Sequence, residues 1–193
     1  MLTSLSQCRY LASETKPERV VEAVSEVAFV GRSNVGKSSL INALCGRDIA
    51  YVSGNPGRTR CINIFDAGQG RFLVDLPGYG FAKGPLDEIL RWGPMIEGYL
   101  ASRASLQMVV MVVDAKVGPT PLDSQMALWL NSQEIDFCVT ASKIDKVKPS
   151  QSLAQKKAVA KFFEISAEEM FWVNSKNKDG IAALRAAILK ALG

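Results

Sequence analysis

The sequence predicts a three-layer α/β domain, with a mostly parallel sheet and one antiparallel edge strand. Three observations carry this reading. Short apolar runs alternate with helical segments along most of the chain, the pattern of parallel strands joined by helices. The run Met108-Val109-Val110-Met111-Val112-Val113 is apolar without alternation, as a central strand covered on both faces must be. Gly31-Arg32-Ser33-Asn34-Val35-Gly36-Lys37-Ser38 places a G-x-x-x-x-G-K-S loop between an apolar run and a helical one, where a phosphate-binding loop works.

Residues 1–25 read as an N-terminal extension of helix or irregular structure, and residues 26–193 as a single domain. The first strand is expected at 27–30 and the first helix at 39–44. The stretch 47–60 is polar and rich in turn residues. Ile62, Ile64 and Phe65 suggest a second strand and Phe72-Leu73-Val74 a third. The Gly-containing turn at 67–70 joins them as a hairpin, which supplies the antiparallel edge strand. Gly and Pro punctuate the chain up to Pro94, so that stretch is expected to be mobile, with a helix following over 95–102. Beyond the central strand, the pattern gives a helix at 121–130, a strand at 135–140, a helix at 153–163, a short strand at 170–173 and an Ala-rich helix at 181–192.

The chemistry concentrates in five places. In the loop Gly31 to Ser38, continuing into Ser39, glycines let backbone N–H groups curl around phosphates. Lys37 would set its ammonium by the β and γ phosphates, and Ser38 would offer its hydroxyl to Mg²⁺. Asp75-Leu76-Pro77-Gly78 is a D-x-x-G at the end of an apolar run. Its carboxylate would hold Mg²⁺ through a water, and its glycine N–H would sense a γ-phosphate. Thr59, after Gly57 and Arg58, could complete Mg²⁺ coordination when GTP is bound and swing away afterwards. Asp145, in Ser142-Lys143-Ile144-Asp145, can accept both the N1–H and the 2-amino group of guanine. Adenine lacks that donor pair, so Asp145 argues against an ATPase or kinase. The Lys143 stem could pack on the purine face. Asn174-Ser175-Lys176 could present a backbone N–H to the guanine oxygen.

The remaining composition narrows the setting. With 193 residues, 48% hydrophobic and 22% charged, the chain can build one substantial core and is not disordered. A net charge of +4 permits an anionic partner without demanding one. Lys143, Lys146, Lys148, Lys156, Lys157 and Lys161 form a basic run that could meet RNA phosphates. The four cysteines, Cys8, Cys45, Cys61 and Cys138, have no ligand spacing, and histidine is absent. A zinc site is therefore not expected, and the cysteines read as free thiols in a reducing compartment. The N-terminus lacks the pattern of a secretory signal. No apolar run reaches the ~18–20 residues that span a bilayer. A cytoplasmic monomer without stable membrane insertion is expected.

Together these motifs resemble the EngB/YihA/YsxC family of bacterial Ras-like P-loop GTPases, related to the translation factors. The likeness runs from about Ser25 to the C-terminus and rests on GRSNVGKSSLINAL from Gly31, NPGRTR from Asn55 and DLPGYGFAK from Asp75. Departures are Arg60 where many members carry Gln, Ser142 where Asn or Thr is usual, and Asn174 where Ser is common. The resemblance implies GTP hydrolysis with Mg²⁺ as a switch in large ribosomal subunit assembly, on the subunit or its precursor. It also implies a link to cell division and septation. Ras-like enzymes often place Gln after D-x-x-G; here Tyr79 stands there, which predicts slow intrinsic turnover raised by a partner or by potassium. Asn34 occupies the position that helps related GTPases hold K⁺. The competing reading is a GTP-dependent switch without a ribosomal role. It would bind a cell-division or membrane-associated protein through 79–94, with Gly80, Phe81 and Trp92 as hinge and anchors.

Overall fold

The structure, a computed structural model, describes residues 2–52, 61–80 and 86–193, and over 86–92 the backbone alone. Twelve strands and helices are described: β1 (Arg9–Glu14), β2 (Ser25–Gly31), α1 (Lys37–Cys45), β3 (Ile62–Gly68), β4 (Arg71–Asp75), α2 (Leu86–Ser102), β5 (Leu106–Asp114), α3 (Pro121–Ser132), β6 (Phe137–Ser142), α4 (Ser152–Phe162), β7 (Phe171–Trp172) and α5 (Ile181–Leu192). The strands form one sheet in the order β1-β3-β4-β2-β5-β6-β7. β4, β2, β5, β6 and β7 are mutually parallel, and β3 runs antiparallel to both of its neighbours. The expected three-layer, mostly parallel fold is present, with its antiparallel strand one place in from the edge because β1 pairs outside it.

β1 lies where helix or irregular structure was expected. Its residues are largely exposed and carry no clean alternation. Strand geometry comes instead from the open edge of β3, a non-local partner. Arg9 meets Asp66 at 3.1 Å, the Ser13 hydroxyl donates to Asn63 at 2.6 Å, and Tyr10 packs edge-on to Phe65. Leu5 and Cys8, just before it, are fully buried. The β3–β4 turn is legible in its residues. Gly68, Gln69 and Gly70 all take positive φ, and the Asp66 carboxylate accepts the Gly68 N–H at 2.8 Å.

Two cores sandwich the sheet. Val27 and Phe29 of β2 face a core with Leu40, Ile41 and Leu44 of α1 and Leu184 and Ile188 of α5. Ala28 and Val30 face the other, with Ile96 and Tyr99 of α2, Leu130 of α3 and Val159 of α4. This alternation is the period-2 consequence of a strand covered on both sides. α2 begins at Leu86, well before the expected start at 95. Pro94 lies inside it and is exposed, so the hydrogen bond that proline removes is lost on the solvent side. At the other end of β2, Glu26 is fully buried and accepts from Tyr99 at 2.6 Å and from Arg103 Nε at 3.1 Å. Arg103 also donates to the Val20 and Val21 carbonyls. This satisfied network ties α2 and the preceding loop to the sheet, as a buried carboxylate requires.

Candidate nucleotide site

The functional motifs converge where open α/β sheets place their ligands, outside the C-terminal ends of parallel strands. β2 ends at Gly31, β4 at Asp75 and β6 at Ser142. Gly31 is required by packing: a Cβ there would lie 2.4 Å from the Val112 carbonyl oxygen. Asn34 and Gly36 take positive φ, which turns the loop into α1. Among the described residues, no acceptor takes the N–H groups of Gly36, Lys37 or Ser38. These are orphan donors at a helix N-terminus, the arrangement that binds phosphate.

Beneath them, the Lys37 ammonium lies 3.5 Å from the Gly31 carbonyl and 3.8 Å from Asp75 Oδ1. The Ser38 hydroxyl donates to Asp75 Oδ2 at 3.0 Å. Burial pushes the Asp75 carboxyl up, against the pull of Lys37 and Ser38. Burial likewise pushes Lys37 down, against the pull of Asp75. Both charges are thus short of compensation. Asp75 Oδ1 has no hydrogen-bond partner though it is buried, an orphan that calls for a missing ligand. A hydroxyl beside an under-satisfied carboxylate fits Mg²⁺, a hard cation that takes oxygen ligands and keeps several waters. Lys37, for its part, fits an anion.

The base-reading motif is tied to this loop. The Ser142 hydroxyl donates to the Val35 carbonyl at 2.6 Å, with the Val113 carbonyl at 3.0 Å. Serine therefore reaches the phosphate loop in place of the usual Asn or Thr. Lys143 takes positive φ and donates to the Asn34 carbonyl at 2.6 Å and to Asp114 at 2.8 Å. Burial would raise Asp114, but Lys143 and the N–H groups of Val117 and Lys116 outweigh it and hold the carboxyl below the ordinary range. Asp145 follows in a single 3₁₀ turn and is exposed. Asn174 is buried, and its side chain accepts the Lys176 N–H at 2.9 Å, which shapes the loop through Ser175.

Two partners escaped the sequence reading. Asp114 closes β5 and anchors Lys143; its only local signal is an acid ending an apolar run. Asp123 is fully buried on α3 and meets Tyr79 and Arg32. Thr120-Pro121-Leu122-Asp123 has the T-x-x-D spacing of a helix cap, which locates the carboxylate but not its distant contacts. Gly57, Arg58 and Thr59 lie outside the described residues, as do Phe81 and the side chain of Trp92. The basic run divides. Lys143 is committed to the loop, whereas Lys156, Lys157 and Lys161 line a groove of about 560 Å³ with Leu153 and Trp172, Lys156 lying 5.4 Å from the Trp172 ring centre. Among the described residues, no helix is long and apolar enough to cross a membrane.

Fold and site together define a protein of the Ras-like P-loop GTPase class. Residues 26–143 match the family described as 50S ribosome-binding GTPase. The chain is 39% identical over 189 residues to a probable GTP-binding protein EngB of Geobacter sulfurreducens, covering 97% of this chain and 92% of that one. It is 50% identical to the corresponding protein of Thermotoga maritima over 126 residues, 65% of each chain. A crystal structure of a probable GTP-binding protein EngB superposes with a TM-score of 0.71 at 28% identity, over 87% of this chain and 98% of that one. An Aquifex aeolicus Era structure shares the fold, with a TM-score of 0.69 at 24% identity over 89% and 57%. The chain belongs to the EngB family of P-loop GTPases.

Proposed function

We propose that this protein binds GTP, hydrolyses it to GDP and phosphate, and uses that cycle as a switch in assembling the large ribosomal subunit, with normal cell division and septation depending on it. The observation that carries the reading is the convergence of Lys37, Ser38 and the orphaned Asp75 Oδ1 under the open N-terminus of α1. In this reading 26–193 is the nucleotide-binding domain, and 1–25 supports it through β1. The protein works in the cytoplasm as a monomer. Its partner is the large subunit or its precursor, which the description of the matched family favours. The Lys156–Lys157–Lys161 groove offers positive charge for RNA phosphates.

In hydrolysis, the Lys37 ammonium and the free loop N–H groups of Gly36, Lys37 and Ser38 neutralise charge spread over the transferring phosphoryl group. Ser38, Asp75 and Thr59 would hold Mg²⁺, which supplies further positive charge at the phosphate oxygens. The Gly78 N–H marks the γ-phosphate position, with Leu76 and Pro77 setting the turn that delivers it. Asp145 reads guanine, and Lys143 and the 174–176 loop frame the base. Tyr79 donates its phenol to Asp123 at 2.8 Å and is therefore not available to orient water as Gln does. Turnover is expected to be slow without help. Asn34 is exposed on the loop, and in this reading its side chain helps to hold K⁺. Phosphate release tests this directly. GTP should be consumed and ATP not, and the rate should rise when potassium replaces sodium. Equal use of ATP would remove the guanine assignment. An unchanged rate in sodium would leave Asn34 as a loop-shaping residue.

A further inference from the structure

Asp123 does more than a helix cap requires. Its Oδ2 accepts the Thr120 N–H at 2.8 Å and the Thr120 hydroxyl at 2.9 Å, which completes the start of α3. Its Oδ1 serves a different element, accepting the Tyr79 phenol at 2.8 Å. Arg32 Nε of the phosphate loop lies 3.5 Å from Oδ2 and is buried without a hydrogen-bond partner. Burial, the Asp123 charge and this hydrogen bond all push the Tyr79 phenol well above its ordinary range, so it remains a donor.

The backbone on either side is zipped as well. Tyr79 N–H donates to the Gly31 carbonyl at 3.3 Å, and Ser33 N–H donates to the Tyr79 carbonyl at 3.0 Å. Arg32 and Tyr79 form a parallel bridge. The Ser33 hydroxyl donates to the Gly78 carbonyl at 3.1 Å. The approach is so close that a Cβ on Gly78 would sit 2.8 Å from Ser33 N. On the far side, a Cβ on Gly80 would meet Leu122 of α3 at 2.8 Å. Among the described residues, no acceptor takes the Gly78 N–H.

We propose that Asp123 is a positioning residue for nucleotide discrimination: through Tyr79 and Arg32 it locks residues 78–80 along the phosphate loop, holding the Gly78 N–H where a γ-phosphate is sensed. The inference rests on the GTPase reading above. It also gives Tyr79 a role. The phenol spans from the D-x-x-G segment to α3, a reach that Gln lacks, and ties the two together through a charged hydrogen bond to the buried Asp123.

Binding of GDP and of a non-hydrolysable GTP analogue to Tyr79→Phe and Thr120→Ala tests the lock. Tyr79→Phe removes one oxygen and keeps the ring. It should weaken the analogue about tenfold, the scale of one hydrogen bond to a buried charge, and GDP less than about twofold, because only the analogue uses Gly78. Thr120→Ala loses the cap contact and keeps the Tyr79 bond. It should lower the unfolding temperature while leaving the analogue-to-GDP ratio unchanged. An unchanged ratio in Tyr79→Phe, or an equal shift in both variants, overturns the lock while the GTPase reading stands. Failure of the unsubstituted protein to bind either guanine nucleotide overturns both.

Discussion

Replacing Asp145 by Asn is expected to lower GDP affinity by roughly a hundredfold or more and to create affinity for xanthosine diphosphate. The carboxylate accepts two parallel donors, guanine N1–H and its 2-amino group. An amide offers one acceptor and one donor, so its NH₂ would oppose the 2-amino group and leave buried polar groups unmatched. Sites built on such hydrogen bonds discriminate by large factors. Xanthine carries an oxygen at position 2 and keeps N1–H, and so matches the amide. Asp145 is exposed in a short turn, and substitutions at such positions usually move stability by no more than about 0.5 kcal/mol. The exchange should therefore alter recognition without altering the unfolding midpoint. Competition of labelled GDP by GDP and by xanthosine diphosphate reads both changes. Retained GDP preference in the variant would move base recognition away from Asp145.

Replacing Lys37 by Ala is expected to reduce GTP turnover by about a thousandfold, the upper range for removing one preorganised charge-stabilising group. The ammonium is buried and stands between the Gly31 carbonyl and Asp75. Its loss takes away the cation that meets the phosphates and leaves Asp75 with the Ser38 hydroxyl as its described donor. Single-turnover phosphate release at saturating GTP separates this chemical defect from weaker binding. A variant that keeps more than about a tenth of the rate would show that the loop N–H groups carry the charge without Lys37.

Much of this site was legible because local rules determine it. The G-x-x-x-x-G-K-S loop, the D-x-x-G and the Asp145 turn each lie at a strand end that apolar runs announce, and β5 and α5 fall where periodicity puts them. α5 in particular spans Ile181–Leu192 as expected. What was not legible depends on distant partners. β1 is a strand because β3 offers an open edge, and its own residues carry no alternation. α2 extends through Pro94, which local rules treat as a boundary. Asp123 shows its capping spacing in the sequence, but its second oxygen serves Tyr79, and nothing local couples positions 79 and 123. Ser142 stands where Asn or Thr is usual, and its closure on Val35 is likewise a contact between distant positions. The Thr59 expectation falls outside the described residues and stands as part of the proposal.

The ribosomal role is tested most directly by co-sedimentation of the protein with purified large ribosomal subunits, at two salt concentrations, with a non-hydrolysable GTP analogue or with GDP. Binding should be stronger with the analogue, and weakened by salt as basic side chains such as Lys156, Lys157 and Lys161 give up phosphate contacts. Equal absence of binding to subunits and to their precursors in both nucleotide states, by protein shown to bind guanine nucleotide, would contradict that role and point to a protein partner instead.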